Sequence, residues 1–354
     1  MMEIDGSYLE GGGQILRTAT FLSAITKKPC RVFNIRKKRP KPGLAAQHLW
    51  GLQTLVKVCR GKLEGDSLGS EEIKFYPGEI DRGPSSINVK IETAGSITLV
   101  LQTLIPPALF SQKPIEIIFD GGATDTFFSP TIDYFRYVFL KNLEKMEVTI
   151  EVHIEKRGYY PEGGARVKVK ISSTKPAPYR SEGSGAGLKK INLTKRGELK
   201  KILVLSGASE FLRNKKVAER QIAGVREVLG KLKLPIEERI EYYKTQCPGS
   251  QICLVAEFEN TVIGADNLGK LGKRAEDVGK EAALELLKEQ KIGACLDRHL
   301  ADQILPYMAL SNKKSSITVS EITNHCQANI WIIEKFLGGK FEIRDNLITW
   351  LPKN

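Results

Sequence analysis

Apolar and polar residues follow two periods in this chain, one typical of strands and one typical of helices. Residues 30–36, CRVFNIR, form a short run with β-branched and aromatic side chains, which predicts a strand. The segment that follows, residues 43–59, predicts a helix with one apolar face. Its apolar residues recur at steps of four and three: Ala45, Leu49, Leu52, Val56 and Cys59.

The alternation returns further along the chain. Residues 114–122 predict a strand, residues 129–146 a helix and residues 147–154 another strand. Residues 7–17 and 158–168 also resemble each other, since both contain an aromatic residue, a glutamate and paired glycines. The pattern predicts an α/β (α+β) fold in which one supersecondary unit is used more than once, although similarities this short also arise by chance.

A change in composition predicts two domains. Residues 172–187, SSTKPAPYRSEGSGAG, are rich in serine, proline and glycine, as linkers are. Beyond them lies a basic block with its own predicted strands and helices, which includes a glycine-spaced stretch at residues 263–280. We therefore predict one domain from residues 1–184 and 286–354, with a smaller α/β domain, residues 185–285, inserted into it.

Composition narrows the class of protein. Hydrophobic residues make up 41% and charged residues 27%, and no apolar run approaches the roughly 20 residues that span a bilayer. The N-terminus has no basic region followed by an apolar core, so no secretory signal is predicted. Six cysteines without a CxxC pair predict reduced, buried thiols, and hence a cytoplasmic protein with no membrane contact.

The net charge favours an anionic partner. The chain carries a formal charge of +13, which is typical of proteins that bind nucleic acid, although a solvated surface rich in lysine and glutamate would give the same excess. Five basic residues and no acidic one lie in residues 36–42, RKKRPKP. Such a run by itself is often only a solvated loop.

The position of this basic run makes it a candidate phosphate site. Arg36 and Arg39 lie just before the predicted helix, and Gln47 and His48 lie on its first turns. Arginine can bind a phosphate through two N–H groups at once. We predict that these four residues hold an RNA or nucleotide phosphate. A solvated loop beside a histidine at the edge of the core is the alternative.

Residues 10–17, EGGGQILR, are a second candidate for phosphate binding. Three glycines let backbone amides approach a ligand, and the helix predicted to follow directs its positive end at them. Glu10 precedes the glycines, while Gln14 and Arg17 lie on the first helical turns. Neither the Walker lysine pattern nor a complete GxGxxG is present, so a tight turn is the alternative.

Two of the four histidines lie at predicted helix starts. His299 and Asp302 are one helical turn apart, a spacing that suits a general base, a metal site or simply a capped helix. At residues 324–337 we predict a helix with Asn324 as N-cap and Gln327 as its capping-box partner. Its predicted buried stripe consists of Cys326, Ile330, Ile333 and Leu337.

His325 is the candidate nucleophile. It shares a helix face with Asn329, and at a helix N-terminus the positive end of the dipole disfavours imidazolium. We therefore expect a neutral ring with a free lone pair, beside amides that attract phosphate, which is what nitrogen attack on phosphorus requires. A capping or packing histidine is the alternative reading of the same residue.

Six segments, in this order, resemble the RNA 3′-terminal phosphate cyclase family. They extend from residue 5 to residue 330 and comprise DGSYLEGGGQILR, IRKKRPKPGLAAQHL, GSITLVLQTLIPPAL, RGYYPEGGARV, HLADQILPYMAL and NHCQANI. The resemblance implies a large domain of three repeated βαβαββ units similar to the C-terminal domain of translation initiation factor three. It also implies a smaller inserted α/β domain, with Ser184 near the first crossing point.

The resemblance implies a reaction in three steps. His325 attacks the α-phosphorus of ATP and releases pyrophosphate, AMP then passes to the RNA 3′-phosphate, and the neighbouring 2′-hydroxyl closes a 2′,3′-cyclic phosphate and expels AMP. Mg²⁺ or Mn²⁺ would offset the charge of the pyrophosphate. The partners implied are ATP and an RNA with a 3′-terminal phosphate; the oligomeric state stays open, a homodimer included.

The resemblance also assigns residues. Arg17, Arg36, Arg39, Gln47 and His48 would hold the RNA or triphosphate, and Glu10 would hold the metal. The nucleotide-binding residues would be Glu10, Gln14, Gln102, Pro130, Tyr134, His299, Asp302 and Gln303. Ala165, His299 and Ala328 stand where relatives carry glycine, an aromatic residue and threonine.

Two other functions fit the same fold. A related branch without the nucleophilic histidine serves ribosomal RNA processing, and the presence of His325, Arg17 and Arg39 argues against that function here. An enolpyruvyl transferase would share the fold and need no ATP. Labelling of the protein by ATP carrying a radioactive α-phosphate separates the cyclase from both.

Overall fold

A computed structural model of the protein describes residues 1–172, 187–230, 232 and 235–353. Most of the predicted linker, with the crossing point at Ser184, lies outside these residues. The helices are α1 (Gly13–Thr26), α2 (Ala46–Cys59), α3 (Ile97–Ala108), α4 (Ile132–Tyr134), α5 (Leu140–Leu143), α6 (Val217–Leu229), α7 (Ala275–Ile292), α8 (Ala301–Leu310) and α9 (Asn324–Leu337). A π-helical segment, Phe135–Phe139, joins α4 to α5.

The strands of the described residues form four sheets of four strands each. In chain order they are β1 (Met2–Asp5), β2 (Cys30–Phe33), β3 (Lys62–Glu64), β4 (Ile73–Tyr76), β5 (Ser86–Ser96), β6 (Ile115–Ala123), β7 (Ile150–Lys156), β8 (Arg166–Ile171), β9 (Asn192–Leu193), β10 (Leu199–Ser209), β11 (Ile236–Tyr243), β12 (Ser250–Phe258), β13 (Val262–Leu268), β14 (Ser315–Thr318), β15 (Lys340–Arg344) and β16 (Leu347–Leu351). The α/β fold class is confirmed.

Three of the sheets have the same connectivity. Their strand orders are β1-β2-β4-β3, β5-β6-β8-β7 and β9-β14-β16-β15, and in each the first two strands are parallel and the others antiparallel. In the first two of these sheets a helix follows each of the first two strands, and in the third sheet α9 follows β14, while α8 comes after the segment inserted behind β9. The helices of the three units also pack together, since α1 contacts α2, α3 and α9, and α8 contacts α3 and α9.

The fourth sheet, in the order β11-β10-β12-β13, interrupts the third unit between β9 and α8. On one face, residues such as Ile202 and Leu254 pack with α6 and α7 in a separate core. On the other face, Leu203 and Val255 belong to the main core. Burial on both faces explains why the two central strands, β10 and β12, have long apolar runs. The predicted domain limits stay a prediction, and α7 continues past residue 285 to Ile292.

Local predictions agree with the structure where periodicity is strong. α2 ends at Cys59 as predicted, with Leu52 buried. Strand β13 was missed, because its glycine and polar residues conceal the alternation. Gly264 is required there, since a Cβ at this position would lie 2.5 Å from the Val138 side chain. Asn34 and Arg36 have positive φ, which ends β2 before residue 36.

The cysteines were expected to be reduced, buried thiols. All six cysteines lie within the described residues and are unpaired and buried, which confirms the expectation of buried thiols. Their burial in apolar surroundings raises the pKa of Cys30 and Cys326 to about 12, so both remain uncharged thiols.

Among the described helices, none combines the length and apolar character needed to cross a bilayer.

Candidate active site

The glycine turn before α1 forms the floor of the candidate site. Gly11 adopts a positive φ of 61°, Gly12 is the N-cap and α1 begins at Gly13. A Cβ on Gly12 would lie 3.2 Å from Arg39 Nη2 and 3.5 Å from His325 Nε2. The predicted turn and the helix behind it are therefore both present, and charged side chains approach its backbone closely.

His325 lies in the first turn of α9, as predicted, but the helix is capped differently. The N-cap is Thr323, whose Oγ1 accepts a hydrogen bond from Cys326 N at 3.2 Å. The prediction of Asn324 as N-cap with Gln327 as partner was wrong. Threonine and asparagine offer the same kind of acceptor, and tertiary packing selects between two caps one residue apart. Within the predicted stripe, Ile330 and Leu337 are only half-buried.

Two carboxylates flank the imidazole of His325. Glu10 Oε1, from the glycine turn, contacts Nε2, and Asp302 Oδ2, from the first turn of α8, faces Nδ1 at 3.6 Å. Three segments that are far apart in sequence therefore meet at this ring. Asp302 is directed at His325, so the predicted pairing of Asp302 with His299 is replaced by a pairing with the other histidine.

These carboxylates reverse the expected direction of the pKa shift of His325. Burial lowers its pKa, but the hydrogen-bonding and charge of Asp302 and the charge of Glu10 outweigh this effect, and the pKa is raised above its usual 6.5. The prediction of a neutral ring considered only the helix dipole, and the shift of the pKa runs in the opposite direction to the one expected from that dipole. A carboxylate carries a full charge at contact distance, whereas the dipole contributes only a fraction of a charge.

Two uncharged side chains hold the backbone of His325 and Asp302 in place. Gln14 Nε2 donates to the carbonyl of His325 at 2.6 Å. Asn329, which was predicted to share the face of His325, donates from Nδ2 to the carbonyl of Asp302 at 2.7 Å and accepts from Thr18 Oγ1 at 2.7 Å. Asn329 thus links α1, α8 and α9. Periodicity placed Asn329 beside His325, but its partners on other helices could not be read from the sequence.

The basic run folds over the glycine turn. Arg39 Nη2 lies 3.3 Å from Glu10 Oε1, and Lys38 Nζ donates to the carbonyl of Leu9 at 2.6 Å. Arg36 Nη1 donates to the carbonyl of Gly43 at 2.9 Å, which holds the loop closed. Most of residues 36–42 are exposed, but Arg36 and Arg39 are only partly so. The contacts of the loop place the Arg39 guanidinium beside the imidazole, where it can meet an anion.

His48 and Gln47 connect this loop to neighbouring helices. His48 Nδ1 accepts from Ala45 N at 3.3 Å, which caps α2. Burial, together with the charges of Arg17 and Arg36, lowers the pKa of His48 to about 3, so the ring is neutral at physiological pH. Gln47 Oε1 accepts from Ser96 N, at the start of α3, at 3.5 Å. Their contact with a phosphate stays a prediction.

A cleft opens beside the histidine, and its lining includes Gln14, Asp302 and Asn329. Gln102 Nε2 donates to Gln303 Oε1 at 3.0 Å across it. Burial lowers the pKa of Arg17 to about 10, against the opposing effect of Asp302, so this guanidinium remains charged. The lining residues are Gln14, Arg17, Thr18, Phe21, Gln102, Pro106, Phe139, Asp302, Gln303, Pro306, Tyr307 and Asn329.

Besides Glu10, three predicted nucleotide contacts lie outside this lining. Tyr134 is in the core, 1% exposed, and its hydroxyl donates to Asp297 Oδ1 at 2.6 Å. The ring of Tyr134 has no open face on which a base could stack. His299 is exposed, and its backbone N donates to Asp297 Oδ1 at 3.0 Å. Pro130 accepts from Thr98 Oγ1 at 2.9 Å. Their roles at the adenine stay predictions.

Asp297 is a residue that the sequence analysis missed. Its carboxylate accepts from Tyr134, from Gly264 N at 3.0 Å and from Leu300 N at 2.9 Å. Burial raises its pKa, against these hydrogen bonds. The residue connects the fourth sheet to the start of α8. Its bonds to His299 N and Leu300 N are those of an ordinary helix start, whereas its partners Tyr134 and Gly264 are remote in the chain and have no local sequence signal.

The described residues include no group of three His, Cys, Asp or Glu side chains placed to hold a metal by themselves. Glu10 Oε1 is nevertheless a buried oxygen without a hydrogen-bond partner, held by its charge contacts with His325 and Arg39. Mg²⁺ is usually bound by one or two carboxylates together with phosphate oxygens of the substrate. Glu10, with Asp302 nearby, fits that donor set.

Comparison with known proteins gives a consistent result. A family model described as RNA 3′-terminal phosphate cyclase matches residues 8–343. The chain is 43% identical over 343 residues to an RNA 3′-terminal phosphate cyclase of Thermococcus kodakarensis, covering 97% of this chain and 94% of that protein. It is 44% identical over 345 residues to one of Pyrococcus furiosus, covering 97% and 95%. With one of Saccharolobus solfataricus it shares 41% over 344 residues, covering 97% and 96%.

Proposed function

Because the chain belongs to the RNA 3′-terminal phosphate cyclase family, we propose that it converts an RNA 3′-terminal phosphate into a 2′,3′-cyclic phosphodiester, with ATP as AMP donor. The observation that carries the proposal is the histidine at the start of α9, held between Glu10 and Asp302 above a glycine turn. A helix start with exposed amides suits a phosphate, and an imidazole beside it suits nucleophilic attack.

The nucleophile in this proposal is Nε2 of His325. Nε2 faces Gly12, where a phosphate can approach the backbone, while Nδ1 faces Asp302. Asp302 therefore holds a proton on Nδ1 and directs the lone pair of Nε2 towards the turn. In the first step the Nε2–phosphorus bond forms and the bond from the α-phosphorus to pyrophosphate breaks.

Glu10 takes the proton that must leave before attack. The raised pKa of His325 means that its imidazolium form is more favourable than that of an ordinary histidine. Glu10 Oε1 contacts the same nitrogen that attacks, so it is placed to accept that proton. Once that proton has passed to water, the Glu10 carboxylate would be free to hold a divalent ion on the ATP phosphates, which would supply positive charge that offsets the departing pyrophosphate.

The basic residues serve the two later steps. The RNA 3′-phosphate attacks the α-phosphorus of the adenylate, which breaks the bond to Nε2 and returns the histidine. The neighbouring 2′-hydroxyl then attacks the RNA phosphorus, and AMP leaves with its bonding electrons. Arg39, 3.3 Å from Glu10, and Arg17 in the cleft are the cations placed to hold this phosphate.

Labelling with ATP that carries a radioactive α-phosphate tests the first step. The protein should acquire acid-labile AMP, and His325→Ala should abolish both labelling and cyclisation while the chain stays folded. His153→Ala is the matched control, since His153 is an exposed histidine on β7. Labelling of the His325→Ala protein would show that another residue is the nucleophile.

The same assay separates the alternative function. A non-catalytic relative in ribosomal RNA processing would bind RNA and remain unlabelled. An RNA ending in a 3′-hydroxyl should leave the adenylated wild-type protein without turnover. An RNA ending in a 3′-phosphate should discharge AMP and yield the cyclic end. Persistence of the label with the phosphorylated RNA would refute the second step.

A further inference from the structure

Three aromatic side chains are exposed together on two adjacent loops. Phe127 and Phe128 lie between β6 and α4, and Tyr160 lies between β7 and β8. The exposed fractions are 39% for Phe127, 102% for Phe128 and 57% for Tyr160. The rings of Phe127 and Tyr160 meet edge to face, with centroids 5.9 Å apart. We call these three residues the aromatic cluster.

The cluster is held on an anchored loop. Ser129 Oγ donates to the carbonyl of Thr126 at 2.9 Å, and Thr131 N donates to Asp266 Oδ2 at 2.7 Å. Between them, the carbonyl of Pro130 accepts from Thr98 Oγ1 at 2.9 Å. The exposure of the rings is therefore built into the loop, because hydrogen bonds on both sides of Phe128 fix its backbone.

The conformation of Phe128 is intrinsically unfavourable. Its φ of 63° lies in the left-handed region, which residues with bulky side chains rarely adopt. The same residue leaves its whole ring in water, where burial would have been favourable. Local strain and contiguous exposed apolar surface are both features that mark binding surfaces.

The cluster lies close to the cleft. Thr98, which binds the loop, and Gln102, which lines the cleft, are four residues apart on α3, or about 6 Å along the helix axis. Gln47, from the basic segment, binds Ser96 at the start of the same helix. A chain that enters the cleft past the start of α3 therefore passes the aromatic cluster.

We propose that the aromatic cluster stacks unpaired bases of the RNA just upstream of its 3′-terminal phosphate. The inference rests on the proposed function for the position of the RNA end. Arg17 in the cleft and Arg39 at the glycine turn can hold phosphates, and the chain has a net charge of +13, but phosphate contacts leave the bases of a single strand uncovered. Proteins that bind single strands cover such bases with exposed aromatic rings, which stack with any base.

The test is the dissociation constant of a short single-stranded RNA with a 3′-phosphate, measured without ATP by fluorescence anisotropy. Phe128→Gly removes the ring and relieves the positive φ, so it should weaken binding roughly 5- to 150-fold, the range for one stacked base, without unfolding the protein. Phe128→Trp should retain binding. Phe128→Leu should bind as weakly as Phe128→Gly, because leucine is apolar but does not stack.

Two comparisons make the result specific. Phe211→Ala removes an exposed phenylalanine from the fourth-sheet region and should leave RNA binding unchanged. An abasic nucleotide at the position that the cluster covers should weaken wild-type binding and have no further effect on Phe128→Gly. The Phe128→Gly variant should also keep the salt dependence of the wild type, whereas Arg39→Ala should reduce it.

The inference is overturned if Phe128→Gly binds RNA like the wild type, or if Phe128→Leu restores binding. Loss of concentration-dependent self-association in Phe128→Gly, with RNA binding unchanged, would instead assign the cluster to contact with a second copy of the chain. Adenylation by ATP needs no RNA and should be normal in every Phe128 variant. If the wild type is not adenylated by ATP but its RNA binding still depends on Phe128, the proposed reaction is refuted and this inference stands.

Discussion

Gly12 and Gly13 are adjacent, but replacement by alanine should affect catalysis at Gly12 and stability at Gly13. Gly12 has a φ of −78° and a ψ of 162°, which any residue adopts, so alanine introduces no backbone strain there. Alanine is a poorer N-cap than glycine, which lowers stability, but it also reduces the entropy of the unfolded chain, which raises stability by a similar amount. We expect the free energy of unfolding of Gly12→Ala to stay within about 1 kcal/mol of the wild type.

Catalysis should respond strongly to Gly12→Ala. The added Cβ would lie 3.2 Å from Arg39 Nη2 and 3.5 Å from both Glu10 Oε1 and His325 Nε2, in the space between the three groups. An α-phosphate attacked by Nε2 has to approach through this space. A displacement of about 1 Å at a reacting centre can lower a rate about 100-fold. We expect the single-turnover rate of adenylation to fall at least that far.

Gly13→Ala is the matched comparison. Its Cβ would overlap Nε2 of His48, a ring that is 6% exposed and fixed to Ala45 N. Overpacking of this kind costs about 1–3 kcal/mol, so Gly13→Ala should lower stability. The two measurements are urea unfolding and the rate of labelling by ATP. A normal labelling rate in Gly12→Ala would refute the placement of the α-phosphate over the glycine turn.

Three further predictions use the other polar groups. Asp302→Asn removes a carboxylate that raises the pKa of His325, so the pH above which adenylation becomes fast should move to lower pH; an unmoved pH–rate profile would mean that Asp302 does not set this pKa. The pKa of His48 is lowered from its ordinary 6.5 to about 3. Between pH 6.5 and pH 3, therefore, the unfolded chain binds a proton at this residue and the folded chain does not. Stability should fall with decreasing pH in this window by about 1.4 kcal/mol per pH unit from this group, and His48→Gln should remove that contribution to the slope in urea unfolding. Tyr134→Phe leaves Asp297 without one buried donor and should lower stability by about 1–3 kcal/mol with the KM for ATP unchanged, whereas a raised KM would place the tyrosine at the nucleotide.

Much of the fold could be predicted because its causes are local. The apolar spacing of residues 43–59 follows from one helix face resting on a core, and residues 114–122 match β6 closely because β-branched and aromatic side chains favour strands. Strand β13 could not be predicted from its composition. Gly264 sits there only because Val138, from another part of the chain, leaves no room for a Cβ.

The candidate site divides in the same way. The glycine turn, the start of α1 and the presence of His325 in the first turn of α9 were read from the sequence, since caps and glycines act within a few residues. The choice of Thr323 over Asn324 as N-cap could not be read, because both offer a side-chain oxygen. Burial of Tyr134 was also not evident, as its partner Asp297 is remote in the chain.

By itself, the sequence determined where the helices and glycine turns lie and which side chains are capable of phosphate chemistry. Only the tertiary structure decided that Glu10 and Asp302 meet at one imidazole and raise its pKa, whereas the dipole of its own helix would lower it. The physical reason is range. Backbone preferences and caps depend on neighbours within about one helical turn, whereas the charge state of a side chain depends on whatever charges the fold brings to its surface.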